Sequence, residues 1–249
     1  MSNPDELASI YHRNRLLWGE AFQNLLSKKH IMVFGLGGVG SFAAEALART
    51  GIGSLSVIDF DSVSPSNINR QLIATLNNIN RLKTEVIKER IFLINPDIKV
   101  ITHNIFYEAS LNSEIFASKP DYVVDAIDSV NSKIDLIQYC RENNIPLISS
   151  SGTGNRLDPS ALTIKDISET KGLSCPLTRK IRKNLEKIGI TKGVTLVVSS
   201  ETPVKPDYSE PDNEALDNKH PPGSTPFVPP VSGFIMASYV IRSFLDTNK

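Results

Sequence analysis

Short apolar runs alternate along the first 150 residues with segments whose apolar positions follow a helical spacing. The apolar runs predict five strands, over residues 31–34, 55–58, 100–103, 122–125 and 146–150. The other segments predict helices before the first strand, over 41–50, from 83 onward and over 132–143. Strands and helices that alternate in this way are typical of a largely parallel sheet covered on both faces. The pattern therefore predicts a Rossmann-like α/β fold, with a mostly parallel sheet and helices on both faces.

The hydrophobic pattern changes after residue 151. Two further strands are predicted over 162–167 and 195–199, and they flank a helix that is strongly basic. Eight of the 15 prolines then occur between 203 and 230, together with five acidic residues, and this composition is poor for a core. We expect one domain over 1–249, in which residues 1–151 form the core. Residues 152–249 would form a smaller C-terminal extension, with 203–230 as a proline-rich loop or lid.

A glycine-rich turn follows the first predicted strand. Gly35, Gly37 and Gly40 satisfy the pattern G-x-G-x-x-G between this strand and the helix over 41–50. In this setting the first glycine allows a tight turn, the second lets the backbone approach a phosphate, and the third lets helix and strand pack closely. Asp59 ends the second strand at the spacing where a carboxylate accepts hydrogen bonds from ribose hydroxyls. These features predict a nucleotide site, and the alternative is a plain turn that needs glycine only for packing.

The residues after the second strand favour ATP over a dinucleotide. Asp61 lies two residues beyond Asp59, so both carboxylates project from the same side of the strand end. A loop of turn-forming residues follows, and Arg70 and Lys83 come after it. A triphosphate requires fixed cations of this kind, because attack at phosphorus concentrates negative charge. Hydride transfer requires no such pair of cations.

These motifs together resemble the adenylating domain of the ubiquitin-activating-enzyme-like superfamily. They are GLGGVG at 35–40, IDFD at 58–61, SNINRQ at 66–71, Lys83 and DAIDS at 125–129. The superfamily also includes the bacterial enzymes that activate molybdopterin-synthase and thiamine sulfur-carrier proteins. Further motifs resemble the bacterial family of tRNA threonylcarbamoyladenosine dehydratases and extend the resemblance over nearly the whole chain. They are AEALARTGIG at 44–53, DAIDSV at 125–130, SSETP at 199–203 and FVPPVSGF at 227–234.

The resemblance implies a role for each position that matches the family pattern. It implies that ATP is held by the residues Gly35, Gly37, Gly38, Gly40, Asp59, Asp61, Asn67 and Gln71. Arg70 and Lys83 would bind and polarise the phosphates, and Asp128 would lie beside Mg²⁺ and the α-phosphate. Arg15 resembles the arginine that one subunit of a homodimer contributes to its neighbour's ATP. The resemblance leaves open whether a monovalent cation is also needed.

The reaction implied by the resemblance is adenylation, in which a carboxylate attacks the α-phosphorus of ATP and releases pyrophosphate. In the dehydratase family the carboxylate belongs to threonylcarbamoyladenosine at position 37 of tRNA. Capture of the acyl-adenylate within the same modification gives a cyclic product and AMP. Intramolecular capture needs little beyond orientation, so no thioester cysteine is required. The extension over 152–249 would then lie on the substrate side.

Two alternatives stay open. Cys175 lies in the region where sulfur-carrier-activating relatives keep a reactive cysteine, so adenylation of a ubiquitin-like sulfur carrier is the first alternative. A sulfur-transfer protein would be a partner in that case. Against it, the residues around Cys175 follow the dehydratase pattern, and the sequence has no C-x-x-C pair for structural zinc. The second is a nicotinamide-dependent oxidoreductase or a non-catalytic interaction module, neither of which requires Arg70, Lys83 and Asp128 together.

Composition limits the partners. The chain has 27 basic and 27 acidic residues, so its net charge offers no long-range attraction to nucleic acid. RNA binding would need a local patch, and the candidate residues are Arg179, Lys180, Arg182, Lys183, Lys187 and Lys192. A solvated helix face is the alternative for this patch. The N-terminus has no apolar signal core and the run over 231–245 is too short for a membrane span, so we expect a cytoplasmic protein without a membrane partner.

Overall fold

The computed structural model of the chain describes residues 10–209 and 221–246. Its strands are β1 (His30–Phe34), β2 (Ser54–Ile58), β3 (Lys99–His103), β4 (Tyr122–Asp125), β5 (Leu147–Ser150), β6 (Leu162–Asp166) and β7 (Thr195–Ser199). They form one sheet in the order β3-β2-β1-β4-β5-β7-β6. Neighbouring strands are parallel except β6 and β7, which pair antiparallel. The predicted α/β fold with a mostly parallel sheet is confirmed.

Helices cover both faces of this sheet. They are α1 (His12–Leu26), α2 (Gly40–Thr50), α3 (Lys83–Ile94), α4 (Asn112–Ile115), α5 (Val130–Glu142), α6 (Pro176–Lys187) and α7 (Val228–Asp246). Side chains alternate along β1, so Ile31 and Val33 pack with α1, α2, α3 and α7 on one face. Met32 and Phe34 pack with α4 and α5 on the other face, where α6 also buries its apolar side. Both faces of β1 are therefore buried, which explains its continuous apolar sequence.

The order of the strands reverses between β1 and β4. The chain moves from β1 through β2 to β3 on one side of the sheet, and then returns to place β4 on the other side of β1. In open parallel sheets, ligands bind beside the carboxyl ends of the strands at such a point. Gly35 follows β1 there, and its N–H donates to Ile58 O, while the N–H of Ala126 donates to Phe34 O. The topology thus places the glycine-rich turn and the end of β4 side by side.

The C-terminal region differs from its prediction in two respects. The proline-rich loop predicted over 203–230 ends earlier, because Val228, Pro229 and Pro230 form the first turn of α7. Proline suits this turn, whose N–H groups have no partner within the helix. Residues 210–220 of the predicted loop lie outside the described part of the chain. The last apolar run, predicted over 231–245, lies within the longer helix α7, which has 19 residues.

Among the described residues, α7 is the one helix long and apolar enough to cross a membrane, judged by length and composition alone. Within the protein it is a core helix, because its side chains from Met236 to Phe244 pack with α2 and the sheet. Gly233 lies against α2 so closely that an added Cβ would lie 2.3 Å from Val39 O. The rings of Phe42 and Phe234 meet edge to face nearby. The apolar composition of α7 is thus explained by this packing.

Candidate nucleotide-binding site

A cavity of about 440 Å³ opens at the carboxyl edge of the sheet. Its wall is formed by the loops that follow β1, β2, β3, β4 and β5, by the segment around Arg70, and by Pro221, Pro222 and Ser224. Cavities of several hundred Å³ at this position of an α/β sheet are typical of small-molecule sites. The cavity therefore coincides with the place where the glycine-rich turn predicts a nucleotide.

The glycines of the turn serve different purposes. A Cβ on Gly35 would lie 2.7 Å from Ala126 O, and one on Gly40 would lie 1.8 Å from Gly35 O, so these two glycines permit close backbone packing. A Cβ on Gly37 would meet nothing nearer than 3.9 Å, because this residue borders the open cavity. Gly38 also lines the cavity, whereas Gly40 lies behind the wall. The N-terminus of α2 is directed by this turn toward the cavity, where its N–H groups favour an anion.

Asp59 is fixed at the end of β2. One carboxylate oxygen accepts the N–H of Leu36 at 2.6 Å, and the other accepts the N–H of Asp61 at 2.8 Å. Burial raises the pKa of Asp59, and the nearby Lys83 ammonium and the two N–H groups offset only part of that increase. The carboxylate therefore lies in the cavity wall in a defined orientation, as a ribose acceptor must.

Two cations border the same cavity. Lys83 begins α3 with its side chain buried, and its ammonium lies 2.7 Å from the Asp61 carboxylate and 3.9 Å from that of Asp59. Arg70 donates from Nη1 to Ser66 O at 2.7 Å and to the side chain of Asn69 at 2.9 Å. Both cations are held by protein acceptors at the cavity wall, which gives a phosphate group fixed positive charge.

Two amides complete this part of the wall. Asn67 accepts the N–H of Ser64 through its side-chain oxygen and thereby caps the turn that leads to Arg70. Gln71 is buried, and within the described part of the chain its side-chain oxygen has no hydrogen-bond partner. Buried polar atoms are rarely left without a partner, and this one borders the cavity. A donor on a bound ligand would satisfy it.

A buried polar cluster supports the loop that carries Asp128. The ammonium of Lys133 lies 2.8 Å from the carboxylate of Asp125 and 3.1 Å from the hydroxyl of Ser149. The other carboxylate oxygen of Asp125 accepts the N–H of Ile127 at 3.1 Å. Asp128 follows and lines the cavity with an exposed side chain. The cluster thus fixes the backbone that presents Asp128.

Ten of the predicted site residues line this one cavity. They are Gly35, Gly37, Gly38, Asp59, Asp61, Asn67, Arg70, Gln71, Lys83 and Asp128. Gly40 packs behind the cavity wall, and Arg15 does not line this cavity. Arg15 pairs with Glu20 at 3.2 Å in a second cavity, of about 360 Å³, which is also lined by Gly53 and Asn95 from the turns before β2 and β3. Arg15 is therefore at the opposite edge of the sheet from the nucleotide cavity of its own chain.

In three parts of the wall, the sequence alone predicts no individual site residue. They are Ile105–Tyr107 after β3, residues 151–154 after β5, and the segment with Pro221, Pro222 and Ser224. The first two follow predicted strand ends, so the rule that ligands bind at the carboxyl edge would have identified them. The third is brought to the site by long-range bonds, from Asn155 N to Gly223 O and from the Asn69 side chain to Ser224 O. No short sequence pattern predicts those contacts.

Cys175 lies next to the cavity wall and forms the N-cap of α6. Its sulfur accepts the N–H of Thr178 at 3.5 Å and lies against Gly152, which lines the cavity. The residue is only 3% exposed. Burial raises the pKa of this thiol, but hydrogen bonds at Thr178, Gly152 and Leu177 together lower it by more, so the pKa lies below its ordinary value. The geometry gives the sulfur a structural task as a helix cap.

The fold and the cavity define an α/β protein of the nucleotide-binding class, whose candidate site contains fixed cations and carboxylates. The sequence model of the ThiF family matches residues 11–249, and the chain belongs to this family.

The chain is similar to dehydratases that modify tRNA. It is 39% identical over 241 residues to the tRNA threonylcarbamoyladenosine dehydratase of Bacillus subtilis, a match that covers 94% of each chain. The solved structure of the Escherichia coli tRNA N6-threonylcarbamoyladenosine dehydratase in complex with AMP is 35% identical, with a TM-score of 0.89. Its complex with ATP has a TM-score of 0.88 at the same identity, and each covers 100% of this chain and 98% of the other.

Proposed function

We propose that the chain is an ATP-dependent tRNA threonylcarbamoyladenosine dehydratase. The observation that carries the proposal is the single cavity in which the glycine-rich turn, Asp59, the two cations Arg70 and Lys83, and Asp128 meet. The similarity to dehydratases solved with AMP and ATP extends over the full chain and supports this assignment. In the proposed reaction, ATP activates the carboxylate of the modification at position 37 as an acyl-adenylate. Cyclisation then releases AMP, and the net change in the nucleoside is the loss of one water.

The residues of the cavity fit ATP. Asp59 would accept from the ribose hydroxyls, and a donor on the nucleotide would satisfy the oxygen of Gln71. The open space at Gly37 lets the phosphates approach the N–H groups at the start of α2. Arg70 and Lys83 would offset the charge that develops as the α-phosphorus is attacked. For Lys83 this role involves a shift from its contact with Asp61 toward the phosphates.

Mg²⁺ would be held by Asp128 together with the phosphates. The part of the chain with a described structure contains no group of three or more histidine, cysteine or acidic side chains arranged for a metal. Mg²⁺ in nucleotide sites commonly takes one or two carboxylates and completes its shell with phosphate and water, so Asp128 suffices. When bound, the ion would add positive charge at the α-phosphate.

A homodimer is part of the proposal. Arg15 lies at the edge of the sheet away from its own nucleotide cavity, so a role toward ATP requires that it reach a second subunit. A cytoplasmic enzyme follows from a tRNA substrate, and the burial of α7 in the core is consistent with a protein that does not enter a membrane.

The test is AMP formation by the purified protein with tRNA that carries threonylcarbamoyladenosine and with the same tRNA unmodified. We expect AMP only with the modified tRNA, together with the loss of one water from the nucleoside. Lys83→Met should abolish it, and Lys88→Met is the matched control because Lys88 is an exposed lysine of the same helix. Turnover with both tRNAs, or with neither, would contradict the proposal.

Adenylation of a ubiquitin-like sulfur carrier is the second candidate. The observation that favours it is the position of Cys175, whose sulfur lies against Gly152 in the cavity wall and whose pKa is lowered. A thiol there could accept an acyl group from an adenylate. Pyrophosphate exchange that depends on a small carrier protein, with no response to either tRNA, would select this candidate.

A further inference from the structure

The exposed side of α6 carries four cations in one row. Arg179, Lys180, Lys183 and Lys187 are all exposed, and at 3.6 residues per turn they fall within about 100° of one another. We call these four residues the basic stripe. The opposite side of the helix is buried through Ile181 and Leu185. The stripe spans about 12 Å along the helix axis, so it can meet more than one charge of an extended partner.

The cations of the stripe are not balanced by acidic side chains in the described part of the chain. None of the four forms an ion pair with another described residue, whereas the neighbouring Arg182 pairs with Glu186 and donates to Thr170 O. Lys187 donates a hydrogen bond to the neutral side chain of Asn184 at 3.2 Å. In a chain whose 27 basic and 27 acidic residues cancel, the stripe therefore concentrates positive charge on one surface.

This arrangement does not help the helix itself. Arg179 and Lys183, and then Lys183 and Lys187, are like charges four residues apart, and such pairs destabilise a helix. Arg179 also lies in the first turn, where the helix dipole favours negative charge. A solvated helix face that served only stability would place acidic residues at some of these positions. The charge pattern therefore points to a polyanionic partner.

The stripe begins beside the nucleotide cavity. Leu177, in the first turn of α6, lines the cavity, and Cys175 immediately before the helix lies against Gly152. A polymer that places one group in the cavity can therefore extend to the stripe. The stripe consists of flexible lysine and arginine side chains without an aromatic or aliphatic anchor, which suits phosphates better than a protein surface.

We propose that the basic stripe binds the sugar–phosphate backbone of the substrate tRNA next to the modified nucleotide. This inference rests on the proposed function, because it takes the identity of the polyanion from it. The stripe would supply affinity and register for the RNA, while the residues of the cavity carry out the chemistry.

The experiment compares two variants with the same change in net charge. The stripe variant replaces Arg179, Lys180, Lys183 and Lys187 by Gln, and the control variant makes the same replacement at Lys28, Lys88, Lys99 and Lys119, which are also exposed. The dissociation constant for tRNA is measured by fluorescence anisotropy over a series of salt concentrations, and ATP affinity is measured in parallel. For the stripe variant, we expect at least about a tenfold weaker tRNA affinity and a salt slope that is smaller by about two to three. We expect unchanged ATP affinity in both variants.

Equal losses in the two variants would overturn the inference, because they would reflect net charge alone. Unchanged tRNA affinity in the stripe variant would also overturn it and would leave an acidic protein as the partner. Binding is measured without turnover, so the result is independent of the test of the proposed function. If the wild-type protein binds tRNA through the stripe but forms no AMP, the proposed dehydratase reaction is contradicted. The inference that the stripe binds tRNA is then still supported.

Discussion

The ammonium of Lys133 lies 2.8 Å from the carboxylate of Asp125, and both side chains are completely buried. Ser149 from β5 donates its hydroxyl to the same carboxylate oxygen at 2.7 Å. The ion pair thus connects α5, β4 and β5 directly beneath the loop that leads to Asp128. A buried charge pair is costly unless both partners are present and hydrogen-bonded, and here they are.

Lys133→Met is therefore expected to lower the free energy of unfolding by about 3–5 kcal/mol, because it leaves the carboxylate of Asp125 buried without its partner. The double variant Lys133→Met with Asp125→Asn should recover a large part of that loss, since it removes the unpaired charge. Urea unfolding of the two single variants and the double variant gives the coupling between the sites. A Lys133→Met protein within about 1 kcal/mol of wild type would contradict the account of the pair.

Gly40→Ala should lower the stability of the protein, whereas Gly37→Ala should lower its affinity for ATP. A Cβ added at Gly40 would be 1.8 Å from the backbone oxygen of Gly35, which cannot rotate away, so we expect a loss of at least about 1–3 kcal/mol of stability. At Gly37 the new Cβ meets nothing nearer than 3.9 Å, so the melting temperature should hardly change. ATP affinity should nevertheless fall in Gly37→Ala, because the methyl group enters the space for the phosphates.

Calorimetric melting and ATP titration of the two glycine variants check this pair of expectations. A Gly37→Ala protein that melts normally and binds ATP as tightly as wild type would show that the phosphates do not approach Gly37. A stable Gly40→Ala protein would show that the turn relaxes more easily than the contact with Gly35 indicates.

Local sequence patterns could predict the strands and the glycine-rich site for a physical reason. β1 is buried on both faces, so its residues from Ile31 to Phe34 are all apolar and stand out between the basic residues before them and the glycine-rich turn after them. The residues that line the cavity from Gly35 to Lys83 follow closely in the chain and have the side chains that phosphates and ribose require. Their roles could therefore be proposed before their positions were known.

Local sequence patterns could not predict which side chains from distant segments contact the site residues. Lys133 lies in an amphipathic helix, where a lysine is normally exposed, and the pairing of β4 with β5 places Ser149 beside Asp125 to complete its buried surroundings. The same holds for Pro222, whose place in the cavity wall depends on the bond between Asn155 and Gly223. Contacts between distant segments depend on the register of the whole sheet, which short patterns do not specify.

Asp59 should make the stability of the protein depend on pH. Its pKa is raised from 3.8 in the folded state, so ionisation is more costly there than in the unfolded chain. The resulting destabilisation is absent below the ordinary pKa, appears as the pH rises through the folded-state value, and is complete above it. Asp59→Asn removes the charge, so its stability relative to wild type should be higher at pH 7 than at about pH 4.

The measurement for Asp59 is urea unfolding of both proteins without nucleotide across this pH range. A difference in stability that stays constant with pH would contradict the raised pKa. ATP affinity of Asp59→Asn is measured separately, and it should fall because the neutral amide is a weaker acceptor for the ribose hydroxyls. The two readouts separate the cost of the buried charge from its use in binding.

Cys175→Ser should retain AMP formation and production of the cyclic nucleoside. A serine hydroxyl can replace the sulfur as acceptor for the N–H of Thr178, so the cap of α6 is preserved. Cys175→Ala removes the cap and should cost about 0.5–2 kcal/mol of stability while the reaction continues at temperatures where the protein is folded. Single-turnover measurement of AMP and of the cyclic product checks both variants. If adenylation persisted but the cyclic product disappeared in Cys175→Ser, the thiol would be the acceptor of the acyl group, because the cap is intact in that variant.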